Sequence, residues 1–296
     1  MGAGQLCPLN AFRAHTSRSI GAIPCRRLIA QMKFVNRSIV LVVMLVATGV
    51  GLSAAEDGVM AKPVAKPSCK ELAVNRGYGC PLPNFKSGSR LLFQGDSITD
   101  MGRDKNPETK DRNHSLGHSY VFLLAARLGV EMPDAQLEFI NRGVSGNTVG
   151  DLRQRWEKDA LEVNPDVLTI LIGTNNVGLN KGLDTFEADY RGILDASRKA
   201  NPELRLVLMD PFVLKSGNLK NEQAWAPRRA ATDKLRVIVA KLAKEYDAVH
   251  IKTQDIFDAA ADISPEHWIW DGIHPLPQGQ ELIARHWLQE VSARWP

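Results

Sequence analysis

From Gly88 onward, short apolar runs alternate with longer stretches in which apolar residues recur at helical spacing. A short apolar run is typical of a buried strand, and apolar residues three and four positions apart are typical of an amphipathic helix. Five runs predict strands: Arg90–Gln94, Leu137–Asn141, Asp166–Ile172, Leu204–Met209 and Val249–Lys252. Because these runs are almost continuously apolar, we expect both faces of the sheet to be covered.

Five longer stretches predict helices: Ser119–Leu128, Val149–Val163, Thr185–Lys199, Pro227–Tyr246 and Gln278–Ser292. Strands separated by helices imply a parallel sheet with helices on both faces, in an α/β fold. The pattern contains no internal repeat and no second domain. In such sheets, chemistry takes place at the carboxyl ends of the strands.

The first 55 residues differ from the rest of the chain in charge and hydropathy. They contain six of the 37 Lys and Arg residues and no acid. From Met32, a basic segment, the apolar run Ile39–Leu52 and the small residues Ser53 and Ala55 predict a secretory signal peptide cleaved after Ala55. A membrane anchor is the alternative, but the run is short for a span. Residues 1–31 then form an upstream extension from a misassigned start codon.

We therefore expect a secreted or periplasmic protein without a stable membrane anchor once the signal is removed. Residues 56–87 are predicted to form a linker and an N-terminal arm. Cys69 and Cys80 lie in this segment, where they either form a disulfide or remain free thiols.

Composition excludes several classes of protein. The chain is 44% hydrophobic and 24% charged, which is ordinary for a globular protein and argues against disorder or a polytopic membrane protein. Beyond residue 55, 31 basic side chains stand against 33 acidic ones. A nucleic-acid-binding domain is not expected, since it would need a basic face in the body of the protein.

Polar segments follow the first three predicted strands and precede the last helix. They are Gly95–Asp100, Asn141–Thr148, Gly173–Asn176 and Trp270–Pro275. Because parallel strands end at one edge of a sheet, we expect the first three segments to lie side by side. Their residue types are those of a reactive site rather than of ordinary loops.

Each segment supplies a different part of acyl-transfer chemistry. Ser97, beside a glycine at a strand end, is either a presented nucleophile or simply part of a helix cap. Asp271 precedes His274 by three residues, so it can accept from the ring Nδ1–H and leave Nε2 free as a base. The glycines of the second segment allow a tight turn, and an Asn side chain is an N–H donor. Together these are a nucleophile, a base and oxyanion donors.

These four blocks resemble those of the SGNH (GDSL) hydrolases, which are named for Ser, Gly, Asn and His. The resemblance implies that Ser97 is the nucleophile, His274 the base and Asp271 the residue that orients it. It also implies that the backbone N–H groups of Ser97 and Gly146 and the side chain of Asn175 form the oxyanion hole.

The resemblance extends over roughly residues 88–293, and it assigns residues 88–296 to an SGNH hydrolase domain. The fold it implies is flavodoxin-like: a three-layer α/β/α sandwich with a five-stranded parallel sheet. This agrees with the five strands that the apolar runs predict. Ser145 also lies in a Gly-x-Ser-Gly context, and we interpret it as part of the oxyanion turn. The resemblance implies no cofactor, and the absence of a Cys/His cluster with metal spacing predicts no metal.

Within the family, Gly95–Arg103 and Asn141–Asp151 look like a branch of bacterial carbohydrate esterases similar to acetylxylan esterases. Two features depart from that branch. Gly173–Asn176 stands where the branch more often has Gly-x-Asn-Asp, and Arg103–His118 is a highly charged loop. The resemblance implies a small acyl ester, most of all acetyl on a carbohydrate, as substrate. An oligomeric assembly stays open.

The substrate contacts we expect are Asp96, Trp268 and Trp270, although a Trp is equally a common core filler. His267, beside Glu266, is interpreted as a surface or packing residue because it lacks the Asp-x-x-His spacing.

Two other functions remain open: a lysophospholipase or thioesterase of the same family, and a non-catalytic carbohydrate-binding module. The first would need an apolar groove for an acyl chain, and the second would not need an intact set of catalytic residues.

Overall fold

A parallel sheet with strand order β2-β1-β3-β4-β5 forms the centre of the computed structural model. The structure describes residues 81–106, 112–262 and 264–296. The strands are β1 (Arg90–Gly95), β2 (Glu138–Asn141), β3 (Val167–Leu171), β4 (Arg205–Met209) and β5 (Val249–Ile251). All five predicted strands are confirmed, and their ends differ from the predicted ones by no more than one residue.

Ten helices are found in the described part of the chain. They are α1 (Ser97–Asp100), α2 (Arg112–Leu116), α3 (Tyr120–Glu131), α4 (Val149–Gln154), α5 (Thr174–Gly178), α6 (Phe186–Ala200), α7 (Glu222–Glu245), α8 (Thr253–Ala260), α9 (Pro265–Trp268) and α10 (Pro277–Arg294). A π-helical turn, Glu157–Leu161, and the 3₁₀ turns Pro133–Ala135 and Gly217–Leu219 complete the set.

Side chains of the buried strands alternate between the two faces of the sheet. On β1, Phe93 packs on the face covered by α3, α8 and α10, where it contacts Tyr120 and Trp287. Leu92 points to the opposite face, which α4, α6 and α7 cover. The predicted three-layer α/β/α sandwich is therefore confirmed.

Two predicted helices differ in extent. The predicted helix Val149–Val163 is divided into α4 and the π-helical turn. The helix predicted to start at Pro227 begins five residues earlier, because the Asn221 side chain accepts from Ala224 N and caps α7 there. Pro227 lies in the second turn of α7, where its missing N–H removes only one intrahelical hydrogen bond.

Several predictions lie outside the described residues: the signal peptide, the linker as far as residue 80, and the pair Cys69 and Cys80. Within the described ranges, every helix is too short or too polar to cross a membrane.

The sheet order explains where the polar segments meet. β1 lies between β2 and β3, so the segments after these three strands are neighbours at one edge. The last helix, α10, is held to the same edge by Gln280, whose side-chain oxygen accepts from Tyr120 N at 2.8 Å. The Gln280 amide nitrogen donates to Ile98 O at 3.3 Å. The loop that precedes α10 is thereby brought to the end of β1.

Candidate active site

The nucleophile turn, Gly95–Asp100, joins β1 to α1. Asp96 caps the short helix, since its Oδ1 accepts from Ile98 N at 3.0 Å. Gly95 is required by close packing, because a Cβ there would lie 2.6 Å from the backbone oxygen of Leu171. Ser97 is therefore the first residue of α1, and its side chain is partly exposed at the sheet edge.

The base loop, Ile269–Pro275, is closed at its ends by an antiparallel bridge between those two residues. Asp271 Oδ1 accepts from the backbone N–H groups of Ile273 at 2.9 Å and His274 at 2.7 Å. Asp271 Oδ2 lies 2.6 Å from His274 Nδ1. On the other side of the ring, His274 Nε2 lies 2.8 Å from Ser97 Oγ. The structure thus brings together the three residues that the sequence predicted as a triad.

The negative charge of Asp271 and a positive charge on His274 stabilise each other. The hydrogen bond that His274 donates to Asp271 raises the pKa of His274 above its ordinary value, although partial burial opposes this. Burial acts to raise the pKa of Asp271, but its hydrogen bonds from His274 and Ile273 outweigh burial and lower it. Asp271 is therefore a carboxylate at neutral pH, and it holds the imidazole with Nε2 directed at Ser97.

The predicted oxyanion donors lie on the neighbouring segments. Gly146 is exposed and has φ +83°, a left-handed conformation that favours glycine. Among the described residues, the backbone N–H groups of Ser97 and Gly146 donate to no backbone acceptor. The side-chain nitrogen of Asn175 donates to Asn147 O at 3.0 Å, which leaves its second N–H for a ligand.

Asn176 has a different environment from its neighbour Asn175. It is 1% exposed, its Oδ1 accepts from Val149 N at 3.2 Å, and its amide donates to Lys181 O at 2.9 Å. Both Asn residues lie on α5 rather than at the end of an extended strand. The two side chains diverge because successive helical residues point about 100° apart, and not because of strand alternation.

Asp100 is a site residue that sequence reasoning missed. Its carboxylate is 2% exposed, and Oδ2 accepts from Ser145 N at 2.9 Å, Ser145 Oγ at 2.8 Å and Lys105 Nζ at 2.9 Å. Burial acts to raise the pKa of Asp100, but the hydrogen bonds from Lys105 and Ser145 outweigh it and lower the pKa. Asp100 thus holds the oxyanion turn, Gly143–Asn147, against the nucleophile turn. No local spacing signals this contact, because 45 positions separate the two residues.

The three residues predicted to contact substrate differ in how exposed they are. Asp96 is 1% exposed, and its Oδ2 is buried with no hydrogen-bond partner in the described part of the chain. The burial of Asp96 beneath the cap of α1 does not favour a direct contact with substrate, and that contact stays a prediction. Trp268 is partly buried and packs against the core, with Nε1 donating to Ala260 O at 2.8 Å, so its substrate contact also stays a prediction.

Trp270, by contrast, is 59% exposed, and its ring lies nearly parallel to that of His274, with 6.4 Å between the centroids. His267 is exposed and packs edge-on against Trp268, away from the Ser97–His274 contact. Across the described ranges, no group of three or more His, Cys, Asp or Glu side chains is arranged to hold a metal ion.

Comparison with known proteins agrees with this geometry. Residues 93–282 match the model of the GDSL-like lipase/acylhydrolase family. An acetylxylan esterase of Geobacillus stearothermophilus is 34% identical over 221 residues, which cover 71% of this chain and 96% of that protein. A multidomain esterase of Ruminococcus flavefaciens is 28% identical over 69% of this chain and 28% of its own length.

Solved structures show the same relationship. A protein from Parabacteroides merdae described as a GDSL-like lipase aligns with a TM-score of 0.66 and 37% identity, covering 71% of this chain and 99% of its own. The Geobacillus acetylxylan esterase aligns with a TM-score of 0.63 and 33% identity, covering 71% and 97%. The chain therefore belongs to the GDSL-like lipase/acylhydrolase family and is a carboxylic ester hydrolase.

Proposed function

We propose that this protein removes short acyl groups, above all acetyl, from carbohydrate, with Ser97 as nucleophile, His274 as base and Asp271 as the residue that orients the base. The observation that supports this proposal is the continuous contact from Asp271 Oδ2 through the His274 ring to Ser97 Oγ, at 2.6 Å and 2.8 Å.

Acylation follows from this arrangement. Ser97 Oγ attacks the ester carbonyl carbon while its proton passes to His274 Nε2. The carboxylate of Asp271 stabilises the imidazolium that forms. The carbonyl oxygen becomes an oxyanion, and the N–H groups of Ser97, Gly146 and Asn175 stabilise its charge.

The tetrahedral intermediate then collapses. The bond between the carbonyl carbon and the alcohol oxygen breaks, and His274 returns its proton to that oxygen, so the sugar hydroxyl leaves. Water attacks the acyl-Ser97 ester next, again giving its proton to His274. Release of the carboxylic acid regenerates the Ser97 hydroxyl.

Two observations support a carbohydrate as the alcohol. The Geobacillus relative is named an acetylxylan esterase. Trp270 presents an exposed indole beside His274, and the face of an indole can stack on a sugar ring. The side chains that follow the nucleophile turn include Arg103 and Lys105, which do not suit a long acyl chain.

A panel of p-nitrophenyl esters from acetate to palmitate, run beside acetylated xylan, tests the proposal. We expect the highest kcat/KM for acetate and release of acetic acid from the polysaccharide. A preference for palmitate would indicate a lipase or lysophospholipase instead. Binding of the polysaccharide without hydrolysis of any ester would indicate a carbohydrate-binding module.

Export is a second part of the proposal, and it rests on the signal-like segment that ends at Ala55. Amino-terminal sequencing of the protein recovered outside the cytoplasm tests it. A mature chain that begins near Glu56 is expected, and retention of Met32 inside the cell would contradict export.

A further inference from the structure

A second cleft runs along the edge strand β2, outside the proposed catalytic residues. We call it the arginine cleft; Arg103, Lys105, Arg142, Lys158 and Asp159 are among the side chains that line it. Its volume is about 550 Å³, within the range of small-ligand sites. Five cationic side chains and three acidic ones line the cleft, so its net charge is positive.

The acids of the cleft do not neutralise its arginines fully. Glu138 pairs with Arg90 at 3.2 Å, and Asp159 pairs with Arg155 at 2.8 Å. Arg155 is not part of the cleft wall, whereas Arg142 is, and Arg142 Nε is buried with no hydrogen-bond partner among the described residues. A buried donor without an acceptor is costly, and a guanidinium N–H donates its strongest hydrogen bonds to a carboxylate or phosphate oxygen.

The cationic groups also lie close enough to repel one another. Burial lowers the pKa of Arg103; the Asp100 and Asp159 carboxylates act to raise it, while the neighbouring guanidinium groups of Arg142 and Arg155 lower it, and the net shift is downward. An anion placed among them would offset both the repulsion and the loss of water.

One end of the arginine cleft touches the proposed catalytic apparatus. Arg103 Nε donates to Gly143 O at 2.7 Å, at the start of the oxyanion turn. Lys105 contacts Asp100 at 2.9 Å, and Asp100 holds Ser145 in the same turn. The cleft and the oxyanion turn are therefore adjacent parts of one surface, and a chain of sugars could reach both.

We propose that the arginine cleft binds the carboxylate of a uronic acid unit carried by the same carbohydrate chain as the ester that is cleaved. This inference rests on the proposed function for the identity of the substrate. The planar guanidinium of Arg142 matches the two oxygens of a carboxylate. Ile140 and Val163 add an apolar patch to the wall, on which the body of a sugar ring can pack.

Direct binding is the first test, because it does not require turnover. The purified protein is titrated calorimetrically with glucuronate, with uncharged glucose and with acetate. We expect glucuronate to bind more tightly than either of the other two. Arg142→Gln should weaken glucuronate binding at least tenfold, since it removes a charge-assisted hydrogen bond. Arg153→Gln makes the same charge change on an exposed residue that pairs with Asp189, and it should leave binding unchanged.

Kinetics with two matched substrates give the second test. Acetylated xylo-oligosaccharides with and without a glucuronic acid branch are compared. Arg142→Gln should lower kcat/KM about tenfold for the branched substrate only, with p-nitrophenyl acetate hydrolysis unchanged. Equal losses on both oligosaccharides, or no binding of glucuronate, would overturn the uronic acid assignment. Acetate binding as tight as glucuronate would overturn it as well, because the cleft would then take any small carboxylate.

The binding and kinetic experiments distinguish failure of the proposed function from failure of the uronic acid assignment. If glucuronate binds in an Arg142-dependent way but no ester is hydrolysed, the proposed function fails and the arginine cleft stands. If acetylated oligosaccharides are hydrolysed without any preference for the branched substrate, the proposed function stands and the uronic acid assignment fails.

Discussion

The nucleophile turn and the base loop each contain a buried aspartate next to a proposed catalytic group, yet the two carboxyls differ. Asp271, in the base loop, accepts hydrogen bonds from two backbone N–H groups and from the ring of His274. Asp96, beside Ser97, accepts one hydrogen bond, from Ile98 N, while its other oxygen is buried without a partner in the described structure.

The difference in partners determines the difference in charge. Hydrogen bonds outweigh burial at Asp271, so its pKa is lowered. Burial outweighs the single backbone hydrogen bond at Asp96, so its pKa is raised to about 6. The pKa values of the two aspartates are thus shifted in opposite directions, because Asp96 is buried more deeply than Asp271 and has fewer donors around its carboxyl.

The largest expected effect comes from breaking the contact between the two regions. Ser97→Ala and His274→Ala should each lower kcat by about 10⁶, and the double variant should lose little more, because the two residues act as a unit. Steady-state kinetics on p-nitrophenyl acetate measures this, with circular dichroism to confirm folding. His267→Ala is the matched control, because His267 is an exposed histidine outside the proposed triad, and it should retain most of the activity. Appreciable turnover by folded Ser97→Ala would reject the assignment.

Removing the charge of each aspartate sharpens the comparison further. Asp271→Asn should lower kcat by about 10⁴, since the imidazole loses the partner that sets its tautomer.

In the wild type, kcat/KM should fall tenfold per pH unit below the raised pKa of His274. Asp96→Asn should move this acid limb of the pH profile only slightly to lower pH, because Asp96 contributes least to raising the His274 pKa. A pH profile that is flat into the acid range would contradict a histidine base.

Loss of one oxyanion donor is expected to have the next largest effect on kcat. Asn175→Ala should lower kcat by roughly 10²–10³ with little change in KM, because its hydrogen bond strengthens as charge develops on the oxygen. Asn176→Ala should instead lower the free energy of unfolding by about 1–3 kcal/mol, since it leaves Val149 N buried without an acceptor. Kinetics and melting temperatures of both variants decide between them. Loss of rate in Asn176→Ala with normal rate in Asn175→Ala would show that the roles are reversed.

The last comparison concerns the free energy of unfolding as a function of pH. The folded state holds the Asp96 proton up to a pKa of about 6, against an ordinary value of 3.8, so stability should decrease as the pH rises between these values. Two pKa units correspond to roughly 3 kcal/mol. Asp96→Asn keeps an acceptor for Ile98 N and should abolish this decrease. Asp271 acts in the opposite sense, and its contribution is lost as the pH falls through its lowered pKa.

Urea unfolding of the wild type and Asp96→Asn at pH 4 and pH 7 measures the difference. The gain in stability of the variant over the wild type should be larger at pH 7 by roughly 3 kcal/mol. A difference between the two proteins that does not change with pH would show that Asp96 does not titrate in this range.

The sequence by itself determined the parts of this protein that depend on neighbours in the chain. The apolar runs located the five strands to within one residue, because a buried strand must be apolar over its own length. The contact between Asp271 and His274 was also predictable, since three residues separate them in one loop.

Only the tertiary structure decided which side chains are buried and which distant ones meet. Trp268 and Trp270 are two positions apart, yet one is partly buried against the core and the other is exposed beside His274. Asp96 and Asp100 belong to one turn, but Asp96 has only a local donor, Ile98 N, whereas Asp100 also gains two donors from Ser145 in a distant turn. Burial and long-range hydrogen bonds depend on how whole elements pack, and a local pattern of residues does not contain that information.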